Sequence, residues 1–290
     1  MMKSKLLTLA LVVLAIAAVV LKYQTYMTHP WTRDALVRAN IVEVTPRVTG
    51  PITHIHVADN SAVVAGQLLF EIDDRIYQAA LKKAQATLAQ AKVQLQRAQN
   101  ELQRMTALES KTPGAVPILT LNNLTDDVDA AIANVAAATA GVDNAKLDLE
   151  FTKVYATKTG YITNFNVAEG AHVVANQPVV ALIDGDSFWI EGFFQETDLE
   201  HVHAGDSASV TLMSYPDYPF NGTVISLGYG IAQADGATSA QMLPTVNPNF
   251  EWIRLAQRIP VKIKVQSLPE QVELRVGTTA SVMISPQVKG

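Results

Sequence analysis

The sequence predicts an elongated, modular protein of mixed α and β class. A β domain is split by an antiparallel α-helical coiled-coil hairpin and followed by a small β-barrel, behind one N-terminal transmembrane helix. Three observations carry this expectation. One β-patterned stretch of 31 residues occurs twice, 110 residues apart; two long segments with a heptad repeat lie between the copies; and the residues after the second copy return to strand alternation.

The elements follow in chain order. Lys3 and Lys5 precede Leu6 to Leu21, sixteen uncharged residues closed by Lys22. Ala15-Ile16-Ala17 satisfies a signal-peptidase pattern, but the apolar run continues past the point where a cleaved signal ends. With Ser4 and Tyr23 it reaches the length that crosses a bilayer, so residues 1–30 read as an uncleaved anchor with the lysine-bearing end inside. Residues 31–43 and 266–290 read as membrane-proximal strands. Trp31 suits a membrane interface, where an indole is comfortable, or a partly buried domain edge. Ala35 to Val44 alternates as one strand.

Val44 to Asp74 aligns without gaps on Val154 to Asp184, with 12 identities in 31 positions, among them Gly50/Gly160, Ile52/Ile162, Val57/Val167 and Val63/Val173. This is an internal repeat. Each copy reads as short strands with a turn, at Asp59-Asn60 in the first and Glu169-Gly170 in the second. Neither is long enough to bury a core alone, so 44–74 and 154–184 are expected to close into one domain.

Residues 75–153 fill the interval. Leu81, Ala84, Leu88, Ala91, Leu95, Ala98, Leu102 and Met105 repeat at alternating steps of three and four, as do Val128, Ala131, Val135, Ala138, Val142, Ala145 and Leu149. Such a stripe faces a partner helix, and the two seams are expected to pack on each other. Pro113, Gly114 and Pro117 break the helix and place the tip at 111–124, with Thr125 as N-cap and Asp126 and Asp127 in the first returning turn. Gly141 falls in mid-helix, where glycine costs up to ~1 kcal/mol.

After the second copy, Phe188 to Asp198 reads as a strand leading into a polar turn, Gly205-Asp206 introduces another over Ser207 to Met213, and Phe220 to Leu227 gives a third, placing a barrel at 185–265. Ile259, Val261, Ile263 and Val265 share one strand face with Ile253 and Leu255. Arg254, Arg258, Lys262 and Lys264 take the other, a positive face toward an anionic substrate, an acidic partner or solvent.

The half-motif G-x-I-x-x-x-x-V-x-x-G/N-x-x-V, present twice around a helical insertion, resembles the two halves of a lipoyl-like, barrel-sandwich hybrid domain in the HlyD-type periplasmic adaptors, or membrane fusion proteins. The string from Trp31 to Ala35, and the Asn-Pro…Trp-x-Arg-x-x-Gln-Arg-x-Pro-Val core over 247–261, are similar to the EmrA-like and p-hydroxybenzoic acid efflux branch. The resemblance implies an adaptor of a tripartite efflux pump, anchored in the inner membrane with its bulk in the periplasm, exporting small molecules such as aromatic acids or drugs. Its implied partners are an inner-membrane transporter of aromatic-acid exporter or major-facilitator type, a TolC-type outer-membrane channel, and further copies of itself as a trimer or hexamer. Arg104, Leu108, Pro113, Gly114 and Pro117 are the implied tip contacts, and Trp252, Arg254 and Arg258 face transporter or substrate. Adaptors that dock on TolC-type ducts carry a tip serine where this chain has Ala115. The alternative is a membrane-tethered envelope spacer without a transport role.

Other chemistry has little support in the residues. A formal charge of −5 offers no basic field for nucleic acid. With no cysteine there is no disulfide, thiolate ligand or lipidated anchor. No carrier-lysine tripeptide, phosphate-cradling loop or hydrolase signature occurs, so neither a cofactor nor enzymatic activity is expected. His54 with His56 and His201 with His203 are spaced to ligate one metal ion, but the second pair sits in a polar turn with Asp198 and Glu200, and the repeat places Asn164 and Asn166 at the positions of the first pair. That position accepts any solvated polar residue.

Overall fold

The computed structural model describes Leu14, Ile16 and residues 29–230 and 256–286. The predicted anchor as a whole, Trp252 and Arg254 lie outside them. No helix among the described residues is long and apolar enough to cross a membrane. The chain divides into two compact units, Ile41–Asp184 and, from the two flanks, Met1–Asn40 with Gly185–Gly290.

The first of these is a β-sandwich to whose sheets both repeat copies contribute. β1 (Trp31–Arg38) belongs to the flanking unit. The first copy and its approach then supply β2 (Ile41–Val44), β3 (Gly50–Ile55), β4 (Ala62–Val63) and β5 (Leu68–Ile72). The second supplies β6 (Lys153–Tyr155), β7 (Gly160–Thr163), β8 (His172–Val173) and β9 (Val180–Asp184). One sheet runs β2-β9-β7-β4 and the other β6-β5-β3-β8, two strands from each copy in each. Ile52, Leu69, Phe70 and Ile72 of the first copy are buried with Ile162, Val180 and Leu182 of the second in one core.

The repeat extends to individual hydrogen bonds, each half holding the other. Asp59 Oδ1 accepts from Phe165 N at 3.0 Å, and its counterpart Glu169 Oε1 accepts from Ile55 N at 3.1 Å. Ala65 N donates to Thr159 Oγ1 at 3.1 Å, and Ala175 N to Thr49 Oγ1 at 3.0 Å. The turns need left-handed residues at matched positions. Asn60 (φ 59°) corresponds to Gly170 (φ 88°), and Gly66 (φ 83°) to Asn176 (φ 63°), the residue types that adopt this region most readily.

With the sandwich closed by both copies, the residues between them cannot be threaded through it and emerge as a hairpin. α1 spans Arg75–Lys111 and α2 Ile118–Glu150, about 55 and 50 Å at 1.5 Å per residue. Every predicted seam residue is buried or half-buried, and the positions between are exposed almost throughout. The expected start of the return helix at Thr125 is corrected. α2 begins at Ile118, and Thr125 lies inside it with Oγ1 donating to Leu121 O at 2.9 Å. The seam explains the difference, because Leu121 and Leu124 continue the three-four spacing back from Val128 and are half-buried. Packing against α1 outweighs the local capping preference of Thr-Asp-Asp.

The flanking unit is a closed six-stranded barrel in the order β1-β10-β13-β12-β11-β14. Its remaining strands are β10 (Trp189–Gln195), β11 (Ser207–Leu212), β12 (Phe220–Leu227), β13 (Arg258–Val265) and β14 (Thr279–Ser285). Alternate residues point inward, among them Ile190 and Phe194, Val210 and Leu212, Val261 and Ile263, Val282 and Ile284. The flanks expected as separate membrane-proximal strands are instead two staves of this barrel, β1 pairing with β14 and β10. The single strand expected from Ala35 to Val44 is likewise two, broken at Ala39-Asn40, with its halves in different units. Leaving both flanks out would open the barrel and expose two edges.

Candidate functional site at the hairpin tip

The described residues offer no catalytic constellation, and none of their His, Asp and Glu side chains gather in threes to hold a metal ion. The His54 and His56 rings stack at 6.4 Å, and His56 Nε2 lies 3.2 Å from Glu71 Oε1, an exposed cross-strand pair. In the barrel unit His203 Nδ1 contacts His201 O at 3.1 Å.

The hairpin end is built in more detail. α1 closes with Thr112 N donating to Leu108 O at 2.9 Å, and Gly114 turns the chain at φ 84°. Ala115 N then donates to Thr112 O at 3.1 Å. Glu109 organises the turn: Oε1 accepts from Gly114 N and Oε2 from Val116 N, both at 2.8 Å. These two amides hold its carboxyl below the usual carboxylate range. Val116 is buried at 6% exposure beneath the turn. Pro117 at the N-cap supplies an extended residue (ψ 138°) before α2, where its missing N–H costs nothing.

Of the predicted tip residues, Arg104, Leu108, Pro113, Gly114 and Pro117 all fall on the turn or the last two turns of α1. Arg104 is ion-paired with Glu101 on its own helix. Two apolar residues escape the sequence reading: Ile118 and Leu119 stand 77% and 70% exposed in the first turn of α2, and Leu108 is 46% exposed in the last turn of α1. The signal that could find them is the Leu121–Leu124 continuation of the seam, which makes Ile118 and Leu119 outward positions of a helix rather than loop residues.

At the hairpin base, Asp73 receives the Arg75 guanidinium, which lowers its pKa to about 2. Tyr77 Oη donates to Thr49 O at 2.7 Å, tying the root of α1 to the sandwich.

Arg258, exposed on the outward face of β13 as the alternation predicts, is ion-paired with Asp34. Lys262 on the same face lies over the Trp189 ring at 4.0 Å, and Arg38 pairs with Glu191 at 3.0 Å. On this face Arg258 is charge-matched within the barrel and Lys262 rests on an aromatic ring.

The family model described as RND MFP, barrel-sandwich hybrid domain, matches residues 40–184, half of the chain, and the AAEA-like beta-barrel domain model matches residues 187–285. Among solved structures, the chain is similar to the membrane fusion protein Spr0693 from Streptococcus pneumoniae R6 at 20% identity and TM-score 0.62, covering 90% of this chain and 99% of that one. It is similar to MacA from Actinobacillus actinomycetemcomitans at 24% identity and TM-score 0.60, over 88% and 80% of the two chains. A MacA–MexA chimera carrying the Pseudomonas aeruginosa MexA α-hairpin domain matches at 25% identity and TM-score 0.59, over 89% and 81%.

Proposed function

The chain belongs to the membrane fusion protein family, and from that membership we propose that it is the periplasmic adaptor of a tripartite efflux pump, joining an inner-membrane transporter to an outer-membrane channel. The observation that carries this reading is the hairpin. Two helices of about 50 Å or more leave a β unit closed by two distant fragments, and end in a turn organised by Glu109 beside exposed Leu108, Ile118 and Leu119. Apolar side chains held outward on an ordered tip suit a protein surface that buries them.

The adaptor's work is geometric. Residues 1–30 anchor the chain in the inner membrane beside the transporter, the hairpin reaches toward the outer membrane, and several copies enclose the route. Energy comes from the transporter. The resemblance of the 247–261 core to aromatic-acid adaptors supports aromatic acids or drugs as cargo, with Trp252 and Arg254 toward transporter or substrate. The double variant Ile118→Ser/Leu119→Ser tests docking. It should leave folding and membrane association intact, because both side chains already face solvent, and reduce export to the level of a strain lacking the protein. Wild-type export by this variant would rule out docking through these residues.

A further inference from the structure

The barrel has two chemically different ends. The chain enters β1 at Trp31, and the same end carries the end of β10, the start of β11, the end of β12 and the end of β14, as the antiparallel registers require. Trp31 pairs across strands with Met283, and both face outward at 45% and 46% exposure. Tyr229, two residues beyond β12, is fully exposed at this end too. β1 and β12 are three staves apart whichever way the barrel is counted, so the two aromatics stand on opposite sides of one rim.

We propose that this rim rests on the headgroup layer of a zwitterionic phospholipid membrane. The inference rests on the reading of residues 1–30 as an anchor. Trp and Tyr favour the interfacial zone, where an apolar ring meets polar headgroups. Chain length permits the contact: Leu21, the last residue of the apolar run, is ten residues from Trp31, a span of at most about 35 Å fully extended. Charge selects the lipid. The Arg33 guanidinium lies over the Trp31 ring at 5.4 Å, an arrangement suited to a lipid phosphate, while the exposed Glu196, Asp198 and Glu200 of the β10–β11 connection suit an ammonium. A headgroup holding both, as phosphatidylethanolamine does, meets the rim with opposite charges; a purely anionic surface repels the connection. Leu199 and Val202 of that connection are buried in the barrel core, which keeps its acidic residues facing outward.

The chain has no cysteine, so a single label site can be introduced into the full-length protein. Tyr229→Cys, Met283→Cys and, at the opposite end of the barrel, Met213→Cys would each carry a fluorophore in nanodiscs of phosphatidylethanolamine and phosphatidylcholine containing headgroup-nitroxide lipid. The proposal expects quenching at 229 and 283 to exceed that at 213 by about threefold or more, and the contrast to shrink in discs of phosphatidylglycerol alone. Equal quenching at the three positions in chains that insert overturns the rim contact while sparing the anchor. Chains that fail to join the discs overturn the anchor, and the rim contact with it. A contrast that appears only with a co-reconstituted transporter overturns the lipid contact and assigns the rim to a protein partner, and one undiminished in phosphatidylglycerol overturns the choice of lipid.

Discussion

Glu109 shows how much one carboxylate does where two helices are joined by six residues. Its two oxygens take the amides of Gly114 and Val116, leaving the tip well satisfied without a partner. Because its pKa is lowered in the folded chain, its stabilisation is present above the ordinary value of 4.5 and is lost as pH falls through the lower folded value. Protection of the Gly114 and Val116 amides from hydrogen exchange, corrected for intrinsic rates, should therefore fall on acidification below 4.5. In Glu109→Ala it should be reduced on the order of tenfold at neutral pH. Gly192 makes a different point. It faces the barrel interior between strand neighbours, and a Cβ there would lie 2.8 Å from Phe194 Cε2, on a ring only 1% exposed. Gly192→Ala should cost about 1–3 kcal/mol in denaturant unfolding followed by the barrel tryptophans. Neither role is legible in the sequence, since each depends on what the fold brings to the residue rather than on the residue's type.

The hairpin helices are the most legible elements, because three-four spacing records which face is covered whatever covers it. The tip misleads because Pro113, Gly114 and Pro117 read as one break and Thr125 as a cap, although the seam at Leu121 and Leu124 runs through the supposed loop. Gly141, unexplained by the pattern, lies on α2 beside an open groove lined by Ala84, Ala137, Ala138 and Ala145, and a methyl group added there would meet nothing within 4 Å. Gly141→Ala should therefore stabilise the hairpin by up to ~1 kcal/mol in thermal unfolding monitored by helical circular dichroism. A loss of stability there would mean that the groove tolerates no side chain.

Across the whole molecule, legibility is set by how far apart the cooperating residues lie and whether they share a mark. The two repeat copies announce their partnership through common residues, and Asp59 and Glu169 are matched clasps between the halves. Closure of the barrel by β1 and β14 carries no such mark: their alternation fits a separate sheet as well as a barrel stave, and the Asp34–Arg258 pair joins residues 224 apart. Family membership gives the molecule its adaptor architecture, and the tip gives the proposed function its point of contact. The sharpest test is a photo-crosslinking residue at Ile118 of the full-length protein in growing cells, with the adduct identified by mass spectrometry. Tip docking predicts an adduct with an outer-membrane channel protein that disappears when the channel is deleted. Adducts confined to inner-membrane proteins, or unchanged by that deletion, would contradict it.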